Sequence, residues 1–210
     1  MSEYTRLVLI APLAETAAEI LPPLQSALAA ERIDVVILPL PARDERGLIN
    51  LVKEIVPAVH AGEAVLMLAG HADLVVRSGA DGVHLSSPAN VGEVVSALHP
   101  QERNVGTGGI TSRHIAMETA EAGVDYIMFG EPKPDGYVPP LEDTIERAAW
   151  WAELFNTPCI VYAPNFAALE PLAATGAEFI ALGEAVFNHP EGPAEAVRQA
   201  MAIIKAVKAP

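Results

Sequence analysis

The chain has 210 residues, with 27 acidic against 13 basic side chains and a formal net charge of −14. That balance excludes a nucleic-acid partner, because a phosphate backbone demands a basic stripe, and any site for a phosphorylated ligand must gather its own cations. Apolar residues make up 51% and aromatics 5%, so Val, Ile, Leu and Ala must fill the core, as in strands buried on both faces.

In chain order, short apolar runs alternate with amphipathic segments. Strands are predicted at 6–10, 34–38, 64–68, 82–85, 104–106, 126–129, 159–162 and 179–182. The helices between and after them are predicted at 13–30, 46–60, 71–78, 91–98, 112–122, 141–155, 166–174 and 193–207. Eight strand signals, each followed by a helix signal, predict a (β/α)8 TIM barrel in a single domain over residues 1–210; a doubly wound sheet, with its five or six units, is the alternative. A weak repeat favours the barrel. Gly79-Ala-Asp-Gly-Val-His-Leu85, Gly123-Val-Asp-Tyr-Ile-Met-Phe129 and Gly176-Ala-Glu-Phe-Ile-Ala-Leu182 each place a helix-ending glycine and an acid before a strand, in alternate units. Residues 131–140, EPKPDGYVPP, cannot be helix or strand interior, and a long loop there is expected to act as a lid over the C-terminal face.

The single cysteine, Cys159, excludes an intrachain disulfide and lies in an apolar run, which predicts a buried, inert thiol. The first residues lack a basic segment followed by a long apolar core, and no apolar run reaches the roughly 18 residues of a membrane span. The expectation is a cytoplasmic protein with no membrane partner.

Barrel enzymes keep their chemistry where strands end. His84 ends the fourth predicted strand and His71 follows the third, so both are candidate acid–base groups with a pKa near working pH. A buried structural role for His84 and a partly exposed helix start for His71 are the plainer alternatives. The two share no spacing that supplies a third ligand, so no metal site is expected from them. The segment Gly106-Thr-Gly-Gly-Ile-Thr-Ser-Arg-His114 is glycine-rich. Thr107, Gly108 and Gly109 are candidates to cradle an anion on main-chain N–H groups, with Arg113 adding charge and Thr111 or Ser112 capping the helix that follows. A tight turn with a routine cap is the alternative. Tyr162 and Asn165 end the seventh strand and are candidate pocket liners. Of Trp150 and Trp151, one is expected to pack inward and the other is free to serve a homodimer contact.

The glycine-led motifs carry a resemblance. Residues 72–85, with Gly79-Ala-Asp-Gly-Val-His-Leu85, Gly123-Val-Asp-Tyr-Ile-Met-Phe-Gly130 and Gly176-Ala-Glu-Phe-Ile-Ala-Leu-Gly183, are ordered and spaced as in the thiamine phosphate synthase and TenI superfamily, over roughly residues 5–188. The resemblance implies a barrel that joins a hydroxymethylpyrimidine diphosphate to a thiazole phosphate with magnesium. It also implies departures. Where the family has Arg and Lys after strand 2, only Arg43 is available. Where it has magnesium-binding carboxylates after strands 3 and 4, this chain has Ala69-Gly70 and Ser86-Ser87. Lys133 stands in the loop that usually supplies Thr and Lys, Tyr162-Ala-Pro-Asn165 replaces a Gly-Gly cradle, and Gly183-Glu184 occupies the phosphate turn where the family has Ser. The catalytic His of TenI-type tautomerases, expected after strand 5, is replaced by the glycines at 106–109. The partner so implied is a small phosphorylated heterocycle or a similar anion. No cofactor is evident, and magnesium is expected only if the usual chemistry is retained. The readings open at this point are a thiamine-biosynthetic transferase with reduced or altered activity, a non-catalytic small-molecule-binding or regulatory barrel, and an unrelated barrel isomerase using His71 and His84.

Overall fold

A computed structural model describes residues 4–133 and 135–207. Eight short strands form: β1 (Arg6–Ile10), β2 (Val35–Leu38), β3 (Val65–Ala69), β4 (Gly82–Leu85), β5 (Asn104–Thr107), β6 (Tyr126–Phe129), β7 (Cys159–Tyr162) and β8 (Phe179–Leu182). Each pairs in parallel with the next, and β8 pairs with β1, closing a barrel in sequence order. Closure decides against the doubly wound sheet, whose edges stay open. Every predicted strand lies within one residue of the observed one, because an apolar run buried on both faces marks itself without help from periodicity.

The surrounding helices are α1 (Ala17–Leu28), α2 (Glu45–Ala61), α3 (Val75–Ser78), α4 (Val91–Leu98), α5 (Arg113–Glu121), α6 (Leu141–Leu154), α7 (Leu169–Ala173), α8 (Glu184–Phe187) and α9 (Pro193–Ala206). Four of these depart from the sequence expectation, one of them the stretch 166–174, which opens as a 3-10 turn, Phe166–Ala168, before α7. The first helix begins at Ala17 rather than residue 13, and Glu19 ties its first turn to the residues before it, accepting from the Glu15 N–H at 3.0 Å and from Thr16 Oγ1 at 3.1 Å. The stretch 71–78 is not one helix: Gly70 and His71 both hold left-handed φ, 75° and 55°, so the chain enters through a 3-10 turn, Ala72–Leu74, before α3. Between β8 and α9 lies α8, which at four residues is too short to show a helical period.

Alternation along the strands divides the core into two layers. Val8, Ile37, Met67, Tyr126, Met128, Ile160 and Ala181 fill the barrel, and a larger aliphatic layer, with Trp151 in it, fills the space between strands and helices. Cys159 faces this outer layer; burial, and then the neighbouring Glu178, push its thiol well up and keep it protonated, which suits an inert packing residue. No helix among the described residues is long and apolar enough to cross a membrane.

The acid of the repeat has a structural task. Gly79, Gly123 and Gly176 all adopt φ between 83° and 90°, turning the chain so that the acid two residues on lies at the N-terminal end of the barrel. There Asp81 Oδ2 accepts from the Leu66 N–H at 2.8 Å, Asp125 Oδ2 from the Val105 N–H at 2.7 Å, and Glu178 Oε2 from the Cys159 N–H at 2.9 Å. Each acid before an even-numbered strand thus pins the odd-numbered strand preceding it. Histidines reinforce two of these pins, His60 on Asp81 and His99 on Asp125. Asp125→Ala strands the Val105 N–H and is expected to cost about 1–3 kcal/mol, while Asp125→Asn, which still offers an oxygen, costs less. Urea unfolding of the two variants reads the difference; equal losses would remove the hydrogen bond as the cause.

Candidate active site

Strand register puts His84, Gly106 and Tyr126 side by side on β4, β5 and β6, pointing into the barrel. Gly106 carries no side chain, and a Cβ there would collide with the Tyr126 ring. The vacant middle position lets the two flanking rings meet over it. They stack at 5.7 Å between centroids with only 6° between planes, and His84 Nδ1 lies 2.9 Å from Tyr126 Oη. The other ring nitrogen, Nε2, lies 3.0 Å from Oε1 of Glu131, which follows β6 in the 131–140 loop. Gly108 makes room for that carboxylate, since a Cβ there would strike Glu131 Oε2.

The protons of this chain follow from its ends. A carboxylate oxygen only accepts, so Nε2 donates to Glu131, and Nδ1 and the Tyr126 hydroxyl share the second hydrogen bond. Burial first, then the charges of Glu131 and Asp125, raise the Tyr126 pKa well above its ordinary value, so the phenol keeps its proton. His84 is only 2% exposed, whereas the Glu131 side chain is 17% exposed. Of the three, Glu131 is the one that reaches open space.

That space is a cavity of about 210 Å³ enclosed by the loops after β5 and β6 and by the start of α6. Its polar lining is Thr111, Glu131, Lys133, Asp143 and Arg147, and its apolar walls include Ile110, Met128, Tyr137 and Pro139. Arg147 is paired with Asp143 at 3.5 Å. Lys133 Nζ stands 5.0 Å from the Tyr137 ring centroid, and among the described residues no carboxylate pairs with it. The loop bearing both is closed on itself, the Lys133 N–H donating to the Tyr137 carbonyl at 2.8 Å.

The cavity gathers Gly109, Thr111 and Lys133 from the residues singled out in the sequence, and Gly108 shapes its edge. Thr107 is fully buried and spends its hydroxyl on the Leu85 and Gly108 carbonyls, at 2.9 and 3.1 Å. His71 is exposed at the end of β3, away from His84's partners. Arg43 is exposed and lies 3.4 Å from Glu15, in the loops after β2 and β1. Asn165 caps the turn Phe166–Ala168 by accepting from the Ala168 N–H at 3.2 Å. Tyr162 is half-buried at the end of β7, its pKa raised by burial and then by Glu184. Gly183 sits before α8 and lines no part of the cavity. The turn after β5 is capped by Ser112, whose Oγ accepts from the Ile115 N–H at 3.2 Å. Arg113 adds no charge there: it turns outward to pair with Glu146 at 2.8 Å and lies over Trp150 at 4.8 Å. Trp151 packs inward and Trp150 is half-buried beneath that arginine.

Sequence reasoning passed over Tyr126, treating it as a strand residue, and placed Glu131 on a lid, weighing it otherwise only as a third metal ligand beside His71 and His84, which spacing does not support. The signal that finds them is an inward glycine between a histidine and an aromatic residue on adjoining strands. Among the described residues, no three His, Cys, Asp or Glu side chains gather as a metal-holding group.

A closed parallel eight-stranded barrel with its polar cavity in the loops after the strands defines a barrel of the class whose C-terminal face carries function. The sequence profile described as thiamine monophosphate synthase matches residues 7–186. A thiamine-phosphate synthase of Rhodospirillum centenum is 34% identical over 194 residues, covering 91% of this chain and 94% of its own. One from Hyphomonas neptunium is 32% identical over 186 residues, covering 83% and 82%. In fold, the chain is similar to the solved thiamine phosphate pyrophosphorylase from Pyrococcus furiosus, with a TM-score of 0.78 at 18% identity over 97% of each chain. The chain belongs to the thiamine monophosphate synthase family.

Proposed function

We propose that this barrel works in thiamine biosynthesis, taking a thiazole phosphate and a hydroxymethylpyrimidine diphosphate at its C-terminal mouth and joining them with an altered handling of the diphosphate. The observation that carries this reading is the 34% identity to a thiamine-phosphate synthase across 91% of the chain. Family membership does not favour an unrelated isomerase. In the joining reaction a C–N bond forms to the thiazole nitrogen as the C–O bond to diphosphate breaks, and negative charge grows on the leaving group. Lys133 and Arg147 are the cations nearest at hand in the cavity for such an anion, and the apolar walls hold water back from a cationic intermediate.

Magnesium, which the resemblance implies, meets a poor donor set. Ala69 ends β3 with Gly70 after it, and Ser86 and Ser87 follow β4, none with a carboxylate; of the cavity's two acids, Glu131 is bonded through Oε1 to His84 and Asp143 is paired with Arg147. Hard dications prefer carboxylate oxygens; these residues do not fit the ion, and no step here passes through it. Turnover is accordingly expected to be slow.

The test is to incubate the purified protein with both substrates, with and without magnesium, and to follow thiamine phosphate and diphosphate. Thermal melts with each substrate alone accompany it. Product formation supports the reading in full. Stabilisation without product removes the joining step and keeps the ligands. Neither product nor stabilisation overturns it.

A further inference from the structure

We propose that residues 130–140 form a strap fastened by one latch, the contact of Glu131 with the buried His84, and that release of this latch lifts the strap and opens the cavity beside it.

The strap is a unit of its own. It begins at Gly130, whose φ of 78° and close approach to Thr144 of α6 leave no room for a side chain, and it ends on Pro139 and Pro140. Among the described residues, the hydrogen bonds of its tip run within it. The Lys133 N–H donates to the Tyr137 carbonyl and the Gly136 N–H to the Lys133 carbonyl, both at 2.8 Å, and the Tyr137 N–H donates to Asp135 Oδ1 at 2.9 Å. Lys133, Asp135, Gly136, Tyr137 and Val138 are all exposed. Glu131 is the exception, set inward with Oε1 at 3.0 Å from His84 Nε2. A loop bonded mainly to itself moves as a body, and what resists the movement is the few contacts that fasten it.

The barrel supplies the fixed half of the latch. His84 cannot follow the strap, because its ring is stacked on Tyr126 and bonded through Nδ1 to the phenol, both on strands of the closed sheet. Gly108 supplies the vacancy. A Cβ there would strike Glu131 Oε2, while the nearest atom of His84, Nε2, would lie at an ordinary contact of 3.4 Å. Position 108 is therefore left empty for the carboxylate and for nothing else nearby. On release, Lys133, Tyr137 and Pro139 leave the cavity wall with the strap, so the strength of one contact sets how often that space is open. The latch is indifferent to which ligand enters, and testing it requires none.

Chymotrypsin cuts after tyrosine, and at Tyr137 it needs the strap lifted clear, so with the barrel folded the cutting rate follows the lifted population. Two variants undo the latch by different means. Glu131→Ala removes the carboxylate, whereas Gly108→Ala keeps it and evicts it with a methyl group. Each is expected to speed the cut at Tyr137 by at least about tenfold, the weight of a hydrogen bond to a charged group. The double variant is expected to be cut no faster than the faster single one, because the same contact cannot be lost twice. Urea unfolding of each variant shows whether the barrel as a whole has loosened. An unchanged rate in Glu131→Ala overturns the latch. So do rates that multiply in the double variant, or a rise at Tyr137 matched by new cuts within the strands.

Discussion

Trp151→Ala is expected to lower the stability of the barrel by about 3–5 kcal/mol, the cost of emptying a large aromatic site in a packed core. Trp151 is fully buried, stacks on Phe155 at 4.0 Å between centroids, meets Phe129 edge-on, and donates from Nε1 to the Thr157 carbonyl at 2.7 Å. One side chain thus ties α6 to the back of β6 and to the turn that leads into β7. The chain has few aromatics, and its aliphatic neighbours cannot expand to fill the hole. For a chain of this length the loss corresponds to a midpoint about 6–20 °C lower. Trp151→Phe keeps the stacking but leaves the Thr157 carbonyl without its donor, and is expected to lie between wild type and alanine. Thermal and urea unfolding measure both; an alanine variant within about 1 kcal/mol of wild type would show that α6 does not depend on this contact.

Gly106→Ala is expected to cost about 1–3 kcal/mol by overpacking, although it adds only a methyl group. The methyl enters the space of the Tyr126 ring, which cannot retreat: it is held by the hydrogen bond to His84 and enclosed by barrel residues such as Met128 and Ile160. The clash also displaces His84, so ligand stabilisation at the cavity should fall with it. A double-mutant cycle isolates the cause. In a Tyr126→Leu background the ring atoms that the methyl strikes are gone, and adding Gly106→Ala should cost less than half of what it costs in the wild type. Equal costs in the two backgrounds would place the strain elsewhere, since non-additivity is the mark of a direct contact.

The two variants mark the limits of what could be read along the chain. That one of Trp150 and Trp151 packs inward was open to the sequence, since two adjacent tryptophans on one helix cannot both face the core, but that it is Trp151 came from the structure. The glycine at position 106 looked like part of an anion turn. Its actual task, leaving a gap between two rings, depends on the pairing His84↔Gly106↔Tyr126, and these residues are 42 positions apart at their ends. The acid of the repeat was likewise visible as a pattern but not as a clamp, because Asp81, Asp125 and Glu178 bond to strands 15 to 20 residues earlier.

By itself the sequence determined the architecture of this protein: eight buried apolar runs, each followed by an amphipathic helix, and left-handed glycines that set the turns between them. These are local properties, decided by neighbours a few residues apart. The resemblance carried by the same glycine-led segments is equally local, and the family it points to is the one to which the chain belongs. Only the tertiary structure decided which side chains share a site. Closing the barrel set Arg43, Asn165 and Gly183 in separate loops, buried His84 behind a glutamate, and made that glutamate, from the loop read along the chain as a lid, the group that faces the cavity. Side-chain convergence depends on strand register and on what glycine leaves empty, and neither is written in any one stretch of the chain.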